Sequence, residues 1–419
     1  MILFPFIIET ADEWLKPAGV HLKKARLTTS DECNATAAPL VKNSSMDALI
    51  PPKDDADALV TYYIDHLEQL HRVVHVSTFK RQYANFWIRG QPRSPTTVAL
   101  ILSMIAISAC ASGSSGDPTS VGARYRDAPS SWILSCEQWL RQQSPKYHKP
   151  ALYQISCLVY LAKRMNMVHK KRFWTETGVL VQGAIIDGLH CDTSSTTDSP
   201  FTIEMRRRIW HVIRKLELQN SYEYGLPTLL HNIDSTVAAP ANIDDEEFDE
   251  ASAVIRSSKP AVHYTRTSYQ SLSACSWALR LEVSRRLFSP AFSQPLTYDD
   301  VLHYTHDITQ ATADLPAWDS NPVANDHHGP RQLPVLASAF LQFQLKECVL
   351  ALHRPYLQRG DSKFWLSENI CHHMSRDMLL LNRQLVEFGV QSLANLREDL
   401  LLASLNLTRI TMMQPPRKF

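Results

Sequence analysis

The sequence predicts an all-α fold, a multi-helix body preceded by a flexible N-terminal segment, on three observations. Apolar residues recur at steps of three and four along most of the chain. Glycine is scarce, 12 of 419 residues, which disfavours phosphate-cradling loops and dense β-turns. No stretch alternates apolar and polar residues as a half-buried strand does. The length allows two to three cores at ~150 residues each, but the helical pattern continues from about residue 54 to the end. The expected division is therefore 1–53, a loose leader, and 54–419, one all-helical domain.

The leader is rich in Ser, Thr, Asn, Asp and Pro and carries a small basic patch, His21 to Leu27, read as part of a solvated linker in preference to a nuclear address or a DNA-flanking arm. Order is expected to begin near Asp54, where Leu59, Tyr62, Tyr63, Leu67 and Leu70 fall on one helix face and aspartates occupy the first turn. A second helix should start at a Ser77 or Thr78 cap and place Phe79, Tyr83, Phe86 and Trp87 together. Val98 to Ala111 is apolar over about fourteen residues, short of the ~20 a membrane span needs, so it reads as a buried helix.

Trp132, Cys136, Trp139 and Leu140 mark the next amphipathic helix, and "ALYQISCLVYLAKRM" is apolar nearly all round, so it should be central. The following helix should stop near Gly188. After Gly225 the chain turns, and its acidic run Asp244 to Glu250 reads as a solvated face or loop. Helical patterning resumes over about 260–312, in "QLPVLASAFLQFQLKECVLALHRPYLQ", which should be stopped by His-Arg-Pro, and again over 362–406.

Between Glu204 and Gln219 lies the most distinctive segment. Met205, Ile209, Val212, Ile213 and Leu216 form a stripe flanked by Trp210, and Arg206, Arg207 and Arg214 lie largely off it, beside Glu217. A helix that reads DNA offers a polar face with several base-reaching side chains. This one has an apolar half that needs burial, so it is expected to be a structural rod whose arginines pair with carboxylates. Glu204, Asp187 and Asp192 are the candidate partners.

The 43 basic residues nearly match the 42 acidic ones, so no whole-chain nucleic-acid footprint exists. The eight cysteines form no C-x-x-C pair and several, such as Cys157, sit in apolar helical patterns as small buried hydrophobes. His71 and His75 are four apart and could share a helix face as metal ligands, but two helix-end histidines is the favoured reading. The adjacent histidines of "DHH" (Asp326 to His328) and "CHHM" (Cys371 to Met374) make poor chelates. No nucleophile elbow, Walker loop or dinucleotide fingerprint is present. No catalytic residue and no cofactor are expected.

Five ordered segments resemble the fungal-specific transcription factor domain, the middle homology region of fungal zinc-cluster regulators. "YYIDHLEQLHRVVHVSTFKRQYANFW" is similar to its entry segment. Gly188, Leu189, His190 and Asp192 match its Gly-Leu-His-x-Asp. Glu204, Arg206, Arg207, Arg208, Trp210, Glu217, Gly225 and Pro227 match its most recognisable helix and the Gly-x-Pro after it. Pro240, Asn242, Ile243, Asp244 and Asp245 match its Pro-x-Asn-Ile-Asp-Asp, and Leu352, His353, Arg354 and Pro355 match a late Leu-His-Arg-Pro. The resemblance implies an all-α regulatory domain in the nucleus, without catalysis, that controls metabolic or secondary-metabolite genes. It also implies other transcription factors, coregulators or a second copy as partners, and no membrane. The family's six-cysteine zinc cluster has no counterpart here, only Cys33 preceding the helical body. Zinc and DNA-reading residues are therefore not carried over, and direct DNA contact is left open. The alternative expectation is a helical ligand- or protein-binding module that acts without DNA. A helical enzyme is the third.

Overall fold

The computed structural model describes residues 46–113, 119–143, 150–166, 172–192, 198–289, 296–318, 332–357, 362–388 and 399–413. The leader up to residue 45 and the "DHH" histidines lie outside the described residues. Two compact units are distinguished, Met1–Ala48 and Leu49–Phe419. A 3-10 turn spans Met46–Leu49, and all the helices that follow belong to the second unit. Among the described residues every regular element is helical and none is a strand, as the periodicity predicts.

Helix α1, Lys53–Tyr62, begins with Asp54 and Asp55 in its first turn, where they face the positive end of the helix dipole. It runs into a π-turn, Tyr63–Leu67, and then α2, Glu68–His71. The chain leaves α2 at Arg72 in the left-handed region, φ 47° and ψ 42°, the only non-glycine residue with positive φ among those described. Helix α3, Val76–Phe86, is capped two or three residues earlier than the Ser77 or Thr78 expected. The His75 ring accepts the Thr78 amide proton at Nδ1, 3.2 Å away, and so serves as the cap itself.

Helix α4, Pro95–Gly113, packs on α1, on α6 (Pro129–Arg141) and on α7 (Pro150–Met165), with the short α5, Val121–Arg124, beside it. As expected, α7 is central: from Cys157 to Met165 every residue is buried. Helix α8, Phe173–Ile186, closes at Gly188, whose φ of 67° favours a residue without Cβ.

Helix α9, Pro200–Tyr224, is the arginine helix. Ser199 caps it by accepting from the Thr202 amide at 3.2 Å, Pro200 occupies the first turn, and Gly225 at φ 64° ends it. The predicted stripe is fully buried, yet the helix is buried beyond that stripe, because α7, α8, α10 (Ser268–Cys275), α11 (Trp277–Phe288) and α13 (Gln332–Leu357) all pack on it. Arg214, expected off the stripe, lies under Trp277 with its guanidinium carbon 4.6 Å from the ring centroid, and it donates to His211 at 2.8 Å.

The second half is built from α11, α12 (Tyr298–Ala313, with a Thr297/Asp300 capping box), α13, α14 (Trp365–Glu387) and α15 (Asp399–Met413). Its core joins Leu218 and Tyr222 of α9 to Val283, Val301, Ile308, Leu345 and Leu352. Two expectations are corrected. Residues 260–267 are turns, not helix, because their amides and hydroxyls are used to fasten a neighbouring loop. Pro355 does not stop α13, which continues to Leu357. A proline this near the end removes one late amide bond without blocking further turns.

Two helical windows, Pro95–Ser112 and Leu333–Leu357, are long and apolar enough to cross a membrane, more than the fourteen-residue apolar run suggests. The protein itself covers 72% and 78% of them.

Candidate functional site, a buried hub on the arginine helix

Consecutive residues on a helix point about 100° apart, so Arg206, Arg207 and Arg208 address three different neighbours. Arg206 donates from Nη2 to the Gly188 carbonyl at 2.9 Å and to the Asp187 carbonyl at 3.4 Å, satisfying the end of α8. Arg207 grips Asp192 at two points, Nε to Oδ1 at 3.0 Å and Nη2 to Oδ2 at 2.7 Å. Hydrogen bonding from Arg207 and from the Ala238 amide overcomes burial and lowers the Asp192 carboxyl below its usual range.

Arg208 is fully buried and turns inward. Its Nε donates to Glu204 Oε1 at 3.1 Å, and its Nη1 to Asp245 Oδ1 at 2.6 Å. Asp245 also pairs with Arg72 and accepts the Val76 amide at Oδ2, 2.7 Å away. Burial pushes the Asp245 carboxyl up, but the Arg72 and Arg208 guanidiniums outweigh it and hold it well below the carboxylate range. Phe248 stacks under Arg208, and the His75 ring meets both Phe248 and Phe201 edge-on. His75 Nε2 stands 4.0 Å from Asp245, while burial lowers its pKa and so favours the neutral ring.

Behind Arg72 lies Glu68. Its Oε1 accepts the Val74 amide at 2.7 Å and its Oε2 the Tyr63 hydroxyl at 2.6 Å. Burial raises the Glu68 pKa to about 7 against the opposing pull of Arg72 and these donors. The unusual backbone has a physical role here. The π-turn brings Tyr63 above Glu68, and the left-handed Arg72 aims its guanidinium at the hub instead of along α2. Gln270 of α10 closes the assembly by donating to the carbonyls of Arg208 at 2.9 Å and His71 at 3.2 Å.

The Pro-x-Asn-Ile-Asp-Asp segment acquires a residue-by-residue account. Pro240 and Ile243 are buried. Asn242 Oδ1 accepts from Thr265 and Ser268, and its amide donates to the His263 carbonyl at 3.1 Å. Asp244 accepts the Arg266 amide at 2.9 Å and faces Lys259, while Asp245 enters the hub. The acidic run is a loop with Glu246 and Glu250 exposed, as its composition suggested, except that its second residue, Asp245, is an internal counter-ion.

Glu204 and Asp192 pair with arginines, whereas Asp187 contributes only its carbonyl to Arg206 and its carboxylate receives the Tyr153 hydroxyl. Glu217 meets no arginine. It accepts from the Thr177 hydroxyl at 2.5 Å and the Leu229 amide at 3.1 Å, and burial raises its pKa against these donors. It thereby pins the chain beyond the exposed Pro227 to α8 and α9. Trp210 donates to Ser235 at 3.0 Å, and the His190 carbonyl accepts from the same hydroxyl at 2.9 Å.

His353, Arg354 and Pro355 lie apart from the hub, near the end of α13. His353 bridges Ser367 at Nδ1 and Thr305 at Nε2, 2.9 Å each, and burial lowers its pKa to about 4. His71 and His75 do not share a helix face, since one ends α2, the other caps α3, and Arg72 turns the chain between them. Among the described residues no group of three or more His, Cys, Asp and Glu is placed to hold a metal ion.

Arg72, Glu68 and Gln270 are hub members that sequence patterning misses, while the pattern places Tyr63 on the apolar helix face without its hydroxyl's role. The hub offers no cleft to a substrate, as Glu68, Arg72, Glu204, Arg208 and Asp245 are each at most 3% exposed. Its chemistry is fastening: it ties 63–76, α9, the 240–248 loop and α10 in a water-excluded contact, where removing one partner costs about 3–5 kcal/mol.

Comparison with known proteins identifies the family. The model of the fungal specific transcription factor domain matches residues 60–312, which contain the whole hub. Transcription factor opdR of Penicillium oxalicum is 28% identical over 329 residues, 77% of this chain and 41% of that protein. The pyrrolocin cluster transcription factor fsdR of Fungal sp. is 25% identical over 86% of this chain and 47% of its own length. The Zn(2)-C6 fungal-type transcription factor pigI of Monascus ruber is 27% identical over 63% and 33%. The chain thus spans less than half the length of these relatives. No solved structure matches it. With 60–312 covered by one family model, the chain belongs to the fungal specific transcription factor domain family.

Proposed function

We propose that the chain is the regulatory body of a zinc-cluster-type transcription regulator that acts in the nucleus on genes of secondary metabolism. The relatives' names support the setting, since one is a pyrrolocin cluster factor and another an equisetin cluster factor. The body runs in this reading from 54 to 419, beyond the 60–312 of the family match, because α13 shares a core with α9, α11 and α12. It carries no catalysis and no cofactor of its own, with zinc confined to a six-cysteine module of the type the family resemblance implies. Its partners are other transcription factors, coregulators or a second copy.

One observation carries the mechanistic part. All three consecutive arginines are committed to protein acceptors, so α9 is a brace and not a phosphate-gripping surface. DNA recognition is then supplied outside the helical body. Two measurements test this. Anisotropy of a labelled duplex titrated with the 419-residue chain should show no sequence-selective binding at low salt. Fused to an unrelated DNA-binding domain in a fungal host, the chain should change transcription from the cognate reporter. Selective duplex binding would overturn the division of labour, and a silent reporter would favour a binding module that does not regulate transcription.

A further inference from the structure

A cleft of about 370 Å³ lies away from the hub, between α6, α7 and α8. Its size is that of small-molecule sites, ~300–1,000 Å³. Its walls are apolar, from Leu140, Val159, Val179 and Leu180, and Val179 is 64% exposed although it belongs to the family-matched body. Its floor is polar. The buried Lys163 ammonium donates to Glu137 at 2.9 Å and Glu176 at 2.5 Å, so both carboxylates are already engaged. The rim carries Arg141 and Arg172. Arg141 reaches Glu137 only at 3.9 Å, and Arg172 has no ion-pair partner among the described residues. The lining thus holds three cations against two anions, with the surplus at the mouth.

We propose that this cleft binds a small amphipathic carboxylate, with its hydrocarbon body along the apolar walls and its acid head at the arginine rim. A guanidinium suits a planar carboxylate and is weakly hydrated, so it discriminates against an alcohol or an amine of the same length. The cleft is wired to the arginine helix. Tyr160 on its floor donates to Asn220 of α9 at 3.1 Å, and Asn220 donates to Thr177 at 3.0 Å, the residue that holds Glu217. A ligand seated against Tyr160 and α8 therefore bears on α9 directly.

The test is calorimetric titration of the full chain with decanoate, decanol and decylamine below their micelle concentrations, with melting temperature followed in parallel. Decanoate should bind saturably and raise the melting temperature, about tenfold tighter than either neutral or cationic analogue, the worth of one charge-assisted contact. Arg141→Gln with Arg172→Gln, both at exposed positions, should lower decanoate affinity about tenfold and leave decanol unchanged. Ser156→Trp, placed in the wall, should abolish binding of all three. Equal affinity for the three probes, no saturable binding of decanoate, or undiminished binding by a folded Ser156→Trp variant would each overturn the assignment. If that variant does not fold, the arginine variants decide. Binding is read on the chain alone, so its failure is distinguishable from failure of the transcriptional reading.

Discussion

Arg208 donates to Asp245 across 2.6 Å and 37 residues of chain, and both side chains are withdrawn from water. Within the same triplet Arg207 lies near the surface and Arg206 meets only carbonyls. The three positions should therefore respond unequally. Arg208→Gln is expected to cost about 3–5 kcal/mol, since it takes a buried guanidinium from two buried carboxylates and leaves Asp245 to Arg72 and Glu204 without a cation. Arg207→Gln and Arg206→Gln should each cost about 1 kcal/mol. Urea unfolding of the three variants checks the order, and three equal losses would contradict it.

Glu68 predicts a pH signature. Its folded pKa of about 7 lies above the unfolded carboxyl value, so the folded chain holds the extra proton as pH rises from the unfolded pKa to 7. Across that window the residue subtracts stability progressively, and the full penalty is present above pH 7. The stability of Glu68→Gln relative to the parent should grow by roughly 1–3 kcal/mol from pH 4.5 to pH 7.5. A difference flat with pH would show that Glu68 is ionised throughout.

His353 titrates in the opposite sense. Burial lowers its folded pKa to about 4, below the unfolded value, so the unfolded chain takes up the proton first as pH falls. Stability from this group is present above the unfolded pKa and is lost as pH drops toward 4. His353→Gln removes the titrating ring that bridges Ser367 and Thr305 and should flatten the loss between pH 6.5 and 4.5. Thermal melts at several pH values measure it, and an unchanged acid slope would count against a neutral buried ring.

Gly188 and Gly225 hold positive φ at the ends of α8 and α9, and a Cβ at either would meet nothing closer than 3.8 Å. Alanine should therefore cost only the conformational strain, ~1–2 kcal/mol at each. Both losses should appear in urea unfolding without a change in slope. A much larger loss would indicate a clash that the geometry does not contain.

The helices are legible because burial repeats with the helical period: Met205, Ile209, Val212, Ile213 and Leu216 are all inside, and Gly188 and Gly225 mark ends that only glycine adopts easily. The hub is less so. Asp192 and Glu204 are near Arg207 and Arg208 in sequence and can be anticipated as partners. Asp245 sits in an acidic run whose composition resembles a solvated loop, and the Val76 amide it accepts is 169 residues away. Local pattern carries no term for such a contact. Arg72 is hidden for a second reason, since its reach depends on a left-handed backbone that its side chain disfavours. Arg214 shows the same limit in reverse, because an arginine off the apolar stripe and beside Glu217 reads as an ion-pair member, whereas its neighbours are Trp277 and His211.

The central claim is that the arginine helix is held by internal ion pairs, and a double-mutant cycle on Arg208 and Asp245 tests it most directly. Arg208→Met and Asp245→Asn would be made singly and together, and unfolding free energies measured in urea. The account predicts a coupling energy of at least about 2 kcal/mol, because the buried pair is lost once, in whichever single variant is made first, and the second substitution has no such contact left to remove. Single losses below about 1 kcal/mol that simply add would contradict it, and would return the triplet to solvent.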